Sequence, residues 1–480
     1  MSARTVVIQL VVLAGRIQLA RLLEPSDFGV YGVVVFASGL LHLFGDAGVG
    51  AALIQQRDEP SDRELATVFT FHLLAGLAMV GLAWLAADTL LLVWRGLPAS
   101  TPWLLRAVAF SGLLSALRVV ASIRLERELH FGRLALIDVV ATLSFYITAV
   151  SLALGGLGSW SLGVALVAQT GTGSLLAMML SPWRIRLKAD WGTLVPLLRF
   201  GLNYQLKNLA GFVNGAITPL YAGAKLGIHN FGLIQWGHHT AWFPLRLVEV
   251  VVRVSFPVFS RLQSDPKQLT RALGRGIQVC ALGVFFFGAL LFGLGADLVQ
   301  IVFTAKWLPA VPILHVYSAA FAIAFLSPLL AAALDAMGRP HVFARLSLGW
   351  TALNWIVVPI STHIAGLMGF VYGNIVHTVV GNLIAVIVVR RYLPGLDVPR
   401  RQLAPVLASI ATAAAGYYVL RPWVSGVATL VATIAAMLVV FTVVIALVDR
   451  RGTLEAVTWL QQRRGPGSGG KETSAAEGGR

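Results

Sequence analysis

The chain has 480 residues, of which 57% are hydrophobic and 12% charged, with a net charge of +16. Soluble domains carry about 25% charged residues, so a water-soluble surface is excluded and the chain reads as integral to a membrane. A single cysteine, Cys280, excludes an internal disulfide and any multi-cysteine metal site.

A spanning helix needs about 20 mostly apolar residues. Such windows, bounded by Pro, Gly or charge, run over 5–23, 27–54, 65–94, 101–122, 133–155, 159–181 and 197–222. They continue over 231–259, 272–295, 309–333, 343–364, 367–389, 403–420 and 423–448. The fold class predicted is all-α integral membrane, with about 14 transmembrane helices. Arg4 followed by Val6 to Ala14 looks like the start of a signal peptide. Arg16 and Gln18 follow at once and no A-x-A site appears, so this stretch reads as an uncleaved first helix.

The distribution of Lys and Arg orients the chain. With a cytoplasmic N-terminus, 28 of the 37 basic residues fall at cytoplasmic helix ends or in the C-terminal tail. Alternate loops, such as GGLGS at 155–159, are bare. Both termini are therefore expected in the cytoplasm, and the positive charge is a topology signal that needs no nucleic acid to explain it.

The tetrapeptide EPSD occurs twice, at Glu24–Asp27 and Glu59–Asp62. Pro stops each incoming segment and Ser26 or Ser61 is expected to cap the next helix, with Glu64 completing a capping box on Ser61. Both copies read as helix punctuation. The polar, Gly/Ser-rich stretch after Leu460 reads as a disordered cytoplasmic tail.

LEPSDFG (Leu23 to Gly29) and LGIHNFG (Leu226 to Gly232) share Leu-x4-Phe-Gly at an offset of 203, and Asp46 meets Glu249 at the same offset. An even number of spans separates the copies, as expected for two lobes related by an axis along the membrane normal. The predicted organisation is a six-helix lobe over 1–190, a second over 191–395, two additional helices over 396–450 and the tail over 451–480.

A charge deep in an apolar span costs about 2.5–3.5 kcal/mol or more, which makes such residues functional suspects. Arg16, Asp46, Lys207, Arg246 and Glu249 qualify. The blander readings are that Arg246 and Glu249 neutralise each other at i, i+3, that Lys207 snorkels to the interface, and that Asp46 offsets an arginine. His42 and the His238–His239 pair could relay protons, or simply pack beside aromatics. Asn203, Gln205, Asn208 and Asn214 make the seventh span unusually polar, so it is expected to line a cavity or pack inside the bundle. Pro244 and Pro257 would permit bending of the eighth. No P-loop, G-x-S-x-G, H-E-x-x-H or Cys/His cluster is found, and no loop is large enough for a separate catalytic domain.

LARLLEPSDFGVYG (Leu19 to Gly32) and FGDAGVGAALIQQ (Phe44 to Gln56) resemble the opening of Wzx-like polysaccharide flippases of the MOP superfamily. The resemblance continues through RVSFPVFSRLQSD (Arg253 to Asp265), VFTAKWLPAVPIL (Val302 to Leu314) and ALDAMGRPHVFARLSL (Ala333 to Leu348). It implies two six-helix lobes around a central cavity, with two extra helices. It also implies transport, without enzymatic chemistry or a cofactor, of an undecaprenyl-pyrophosphate-linked glycan across the bacterial inner membrane for surface polysaccharide assembly. Membrane lipid is an implied partner, and other polysaccharide-assembly proteins are candidates. Whether H+ or Na+ drives the cycle stays open. On that implication Arg16, Lys207 and Arg246 are candidates for the pyrophosphate, from their depth and not from a matched motif; Asp46 and Glu249 are candidates for coupling or charge pairing. The sequence departs from the family at ITPLYAG, with Thr218 and Pro219, and at Ile234. A MATE-like cation-coupled drug exporter is the alternative, disfavoured because Arg and Lys outnumber carboxylates among the buried candidates.

Overall fold

The computed structural model describes residues 3–449, with side chains described throughout except at 3–10, 44–46, 202–208 and 210. Among the described residues every regular element is a helix. α1 (Ala3–Leu22) turns into α2 (Pro25–Asp46). Pro25, in the first turn, has no N–H to leave unpaired, and Asp27 accepts the Glu24 N–H at 2.9 Å. This helix thus starts before Ser26, and Glu24 is its cap. The second EPSD behaves as expected: Ser61 Oγ accepts the Glu64 N–H at 3.3 Å and Glu64 accepts the Ser61 N–H at 2.7 Å, opening α4 (Asp62–Ala86).

Between them the window 27–54 divides. Ala47 and Gly48 have positive φ, 44° and 67°, and α3 (Val49–Gln55) restarts beyond them. α5 (Leu90–Val93) prolongs α4, and α6 (Thr101–Arg127), α7 (Phe131–Leu154) and α8 (Ser159–Leu180) follow. α9 (Trp191–Ile217) ends in a widened π-turn, Thr218–Ala222, before α10 (Gly223–Leu226). The window 231–259 also divides, into α11 (Ile228–Ala241) and α12 (Leu245–Arg261), at Trp242–Pro244. α13 (Pro266–Leu298) again closes in a π-turn, Val299–Phe303, followed by α14 (Val311–Ala324) and α15 (Leu326–Ala336). α16 (Pro340–Arg390) comprises two limbs, because Ala365 and Gly366 leave helical backbone and Gly366 takes φ +55°. α17 (Val398–Ala415) and α18 (Val427–Val448) complete the chain.

Ten helical stretches among the described residues are long and apolar enough to cross a membrane, with both limbs of α16 counted in one. The protein is a multi-pass membrane protein. The count of fourteen further requires α1, α9 and the broken α11–α12 to cross; α11 and α12, at 14 and 17 residues, are each too short alone. The tail at 451–480 lies outside the described residues.

α2 and α11 cross closely. A Cβ on Gly29 would strike the Ile228 carbonyl, and a Cβ on Gly232 would strike the Pro25 carbonyl. Ile228 is Pro25 displaced by 203 positions, and Gly232 is Gly29 displaced by the same 203. The contact therefore maps onto itself, as a two-fold crossing does.

Candidate functional site

The end of the bundle that carries the α1–α2 turn is closed. Trp307 Nε1 donates to the Ala20 carbonyl at 2.7 Å, and Arg21 donates to the Ile301 and Val302 carbonyls at 2.7 and 2.8 Å. Lys306 donates to the Arg21 carbonyl at 2.8 Å and faces Glu24 at 3.5 Å. Trp94 Nε1 donates to the Pro219 carbonyl at 2.7 Å. Pro219, Ile301 and Val302 all belong to π-turns, whose wider register turns carbonyls away from the helix ladder and leaves them free to accept. Trp236 stacks on Trp307 with centroids 4.7 Å apart, and Phe28 meets Trp307 edge-on at 5.3 Å. Indoles thus seal this end with both their apolar faces and their N–H groups.

Away from the seal, Arg16 on α1 and Arg246 on α12 both lie within electrostatic reach of His239 on α11. None of the three side chains is covered by protein. Arg246 and Glu249 form no ion pair with each other, so the mutual neutralisation that their i, i+3 spacing permits is not made. Arg253, one further turn along α12, falls on the same stripe, while Leu245, Val248 and Phe259 on the neighbouring face are buried. Arg253 is one of the 28 basic residues that the charge distribution puts at cytoplasmic helix ends. Its signal was the i, i+3, i+7 spacing with Arg246 and Glu249. Asp46 is the last residue of α2 and Lys207 lies within α9. The side chains of Asp46 and Lys207 lie outside the described residues.

His239 also stands in the wall of a large cavity, ≈ 1140 Å³, whose described lining comes entirely from residues 211–382. α9, α11, α14, α15 and α16 enclose it, and it reaches the α15–α16 turn at Asp335 and His341, the end opposite the seal. Asn214, flagged in the sequence as part of a polar span, lines it and accepts the Asn354 Nδ2–H at 3.1 Å. Asn382 Oδ1 accepts the Ser327 hydroxyl at 2.7 Å. Asn354, Asn382 and Ser327 were not singled out by sequence reading. His238 does pack among aromatics, with Trp242, Tyr317 and Phe321 centroids 5.1–5.3 Å from its ring. Among the described residues no cluster suited to a metal ion is found.

A family model described as polysaccharide biosynthesis protein matches residues 18–312. The lipopolysaccharide biosynthesis protein WzxC of Escherichia coli (strain K12) is 23% identical over 408 residues, covering 81% of each chain. The succinoglycan biosynthesis transport protein ExoT of Rhizobium meliloti (strain 1021) is 27% identical over 303 residues, 62% of this chain and 60% of ExoT. A structure of the lipid II flippase MurJ, inward closed conformation, superposes with a TM-score of 0.71 at 15% identity, covering 93% of this chain and 99% of that one. An inward-facing multidrug resistance MATE family transporter of the MOP superfamily superposes with a TM-score of 0.61 at 18% identity, covering 81% and 96%. The fold is that of these transporters. With the family match spanning more than half of its length, the chain belongs to the polysaccharide biosynthesis protein family.

Proposed function

We propose that this protein is a flippase that moves a polyprenyl-pyrophosphate-linked oligosaccharide across the bacterial inner membrane, for surface polysaccharide assembly, by alternating access. The observation that carries this reading is the convergence of Arg16 and Arg246, from helices some 230 residues apart in sequence, on His239. Two cations that protein does not cover and that make no ion pair among the described residues are expensive inside a bundle, and a pyrophosphate repays that cost through charge-assisted, bidentate bonds. Lys207 and Arg253 are further candidates for the same anion. Polysaccharide transport by relatives such as ExoT, and the fold shared with MurJ, agree with a lipid-linked glycan as cargo. The polyprenyl tail stays in the bilayer, and the protein itself performs no covalent step.

The reading places both termini in the cytoplasm, so the seal is extracytoplasmic and the cavity opens toward the cytoplasm, where the glycolipid is made. It divides the chain into lobes over 1–190 and 191–395, followed by two further helices. The self-mapped α2–α11 crossing supports that division. α2 of one lobe then pivots against α11 of the other at Gly29 and Gly232. A drug exporter of the MATE kind shares the fold but would recognise cations through carboxylates, and the residues gathered around His239 are arginines.

Deletion is expected to make one polyprenyl-pyrophosphate-linked oligosaccharide accumulate in lipid extracts analysed by mass spectrometry, with loss of surface glycan. Arg246→Ala is expected to lower transport about tenfold or more, the effect of losing one charge-assisted phosphate contact, at unchanged membrane abundance. An unchanged glycolipid pool on deletion, with raised sensitivity to cationic drugs, would replace this reading with the exporter.

A further inference from the structure

The cavity beside His239 has a chemistry of its own, distinct from the arginines at its edge. At ≈ 1140 Å³ it exceeds the roughly 300–1,000 Å³ typical of small-molecule sites, so a single ring would leave most of it empty. One side is aromatic: Trp242, Tyr317 and Phe321 surround His238, and Trp242 meets Phe321 edge-on at 4.8 Å. The facing side, from α15 and α16, presents amides and hydroxyls, among them Asn354, Asn374, Asn382, Ser327 and Thr351. Sugar rings offer apolar C–H faces to aromatic planes and rims of hydroxyls to amides, which is the complement of this arrangement. Trp350 Nε1 and Asn354 Oδ1, in the same wall, have no hydrogen-bond partner among the described residues. An unmet buried donor and acceptor disfavour the empty state and are relieved by a hydroxyl-rich ligand once the side chains turn toward it.

Charge sharpens the class. Among the described lining residues there is no lysine or arginine, and the one carboxylate, Asp335, lies at the cytoplasmic mouth. A sugar acid entering here meets no lysine or arginine among the described lining residues to offset its charge, whereas uncharged sugars lose nothing. His239 belongs to this wall and is also the group that Arg16 and Arg246 act upon. The phosphate position and the cavity therefore adjoin, in the order in which pyrophosphate and sugar are joined in a glycolipid.

We infer that the cavity walled by α9, α11, α14, α15 and α16, whose described lining lies in the second half of the chain, is a sugar chamber that selects the uncharged part of the glycan. This rests on the flippase reading for its ligand, while the chamber itself is testable without the lipid.

The test uses the purified full-length chain in a sugar-free detergent, with three probes. These are farnesyl diphosphate, the same diphosphate bearing an uncharged trisaccharide, and its counterpart ending in a uronic acid. The uncharged trisaccharide is expected to tighten binding about tenfold over farnesyl diphosphate, and the uronate to add about twofold or less. Ala344→Trp, which fills the chamber from an uncovered wall position, and Trp350→Phe, which removes the free indole N–H, are each expected to cut the sugar increment to about twofold or less. Neither is expected to change the affinity for farnesyl diphosphate. An increment that survives both substitutions, or that the uronate matches, overturns the chamber. Failure of farnesyl diphosphate to bind, or indifference of its binding to Arg246→Ala, instead overturns the flippase reading. For that case a second measurement uses free chitotriose and trigalacturonate against maleimide labelling of Ala344→Cys in a Cys280→Ala background. Chitotriose alone should slow labelling about threefold or more; equal rates with and without it refute the chamber irrespective of the phosphate.

Discussion

Gly232 sits where a side chain has no room. Its Cβ would strike the Pro25 carbonyl, as the Cβ of Gly29 would strike that of Ile228, so both helices depend on glycine for their closest approach. Gly232→Ala is expected to destabilise the protein by about 1–3 kcal/mol, the usual cost of overpacking. It should lower the thermal midpoint and raise the labelling of a Gln235→Cys probe from the sealed side; an unchanged midpoint would mean that the crossing is loose. The glycines were visible in the sequence only as part of a short repeat, and what they do emerged from the opposing carbonyls. Arg246 and Glu249 teach the converse. Helical spacing allows a pair but does not enforce one, since side-chain entropy and alternative partners decide. The two EPSD copies show the same limit: Ser61 caps as its composition suggests, whereas Pro25 in the first turn moves the other cap back to Glu24.

At the level of helices, apolar length located nearly all the rods, because a bilayer admits few other backbone solutions. Breaks inside windows were not legible. Ala47–Gly48, Trp242–Pro244 and Ala365–Gly366 occupy two or three residues each, less than one helical turn, and hydropathy averages across them. The chamber was legible only at Asn214; its other amides and hydroxyls come mostly from α16, spread over some 35 residues across the break at Ala365–Gly366, where such neutral residues leave no periodic signal. The arginines were legible, because a charge in a span stands out against any apolar background. Helix ends also carry pH dependence. Asp190 caps α9; the Thr193 hydroxyl, Arg63 at 2.6 Å and the Gly192 N–H hold its carboxyl below the usual aspartate value of 3.8. A lowered folded-state pKa means that this contribution is full above that value and fades as pH falls through the lower one. The stability difference between the protein and Asp190→Asn should therefore be constant near neutrality and shrink below pH 3.8, as thermal midpoints across a pH series would record. A difference independent of pH would remove the ionised carboxylate from the account.

Across the whole molecule, the two ends are built differently. One is fixed by indole and guanidinium donors on backbone carbonyls, directional bonds that break together when the helices part. The other is the mouth of a cavity with polar walls. Both indole bonds of the seal link the chain's two halves, Trp94 reaching forward to Pro219 and Trp307 reaching back to Ala20. Each half thus completes the closure of the other. This has a consequence for biosynthesis. Helices before residue 182 pack largely among themselves, and the seal contacts that Ala20 and Arg21 make cannot form until residues 301–307 have been made. The first half must wait in the membrane with its half of the seal unmatched while the second is translated. The chain should therefore tolerate being severed. Two polypeptides cut within 182–190 and made together in one cell should find each other, co-purify and restore surface glycan, whereas a first half made alone should be degraded.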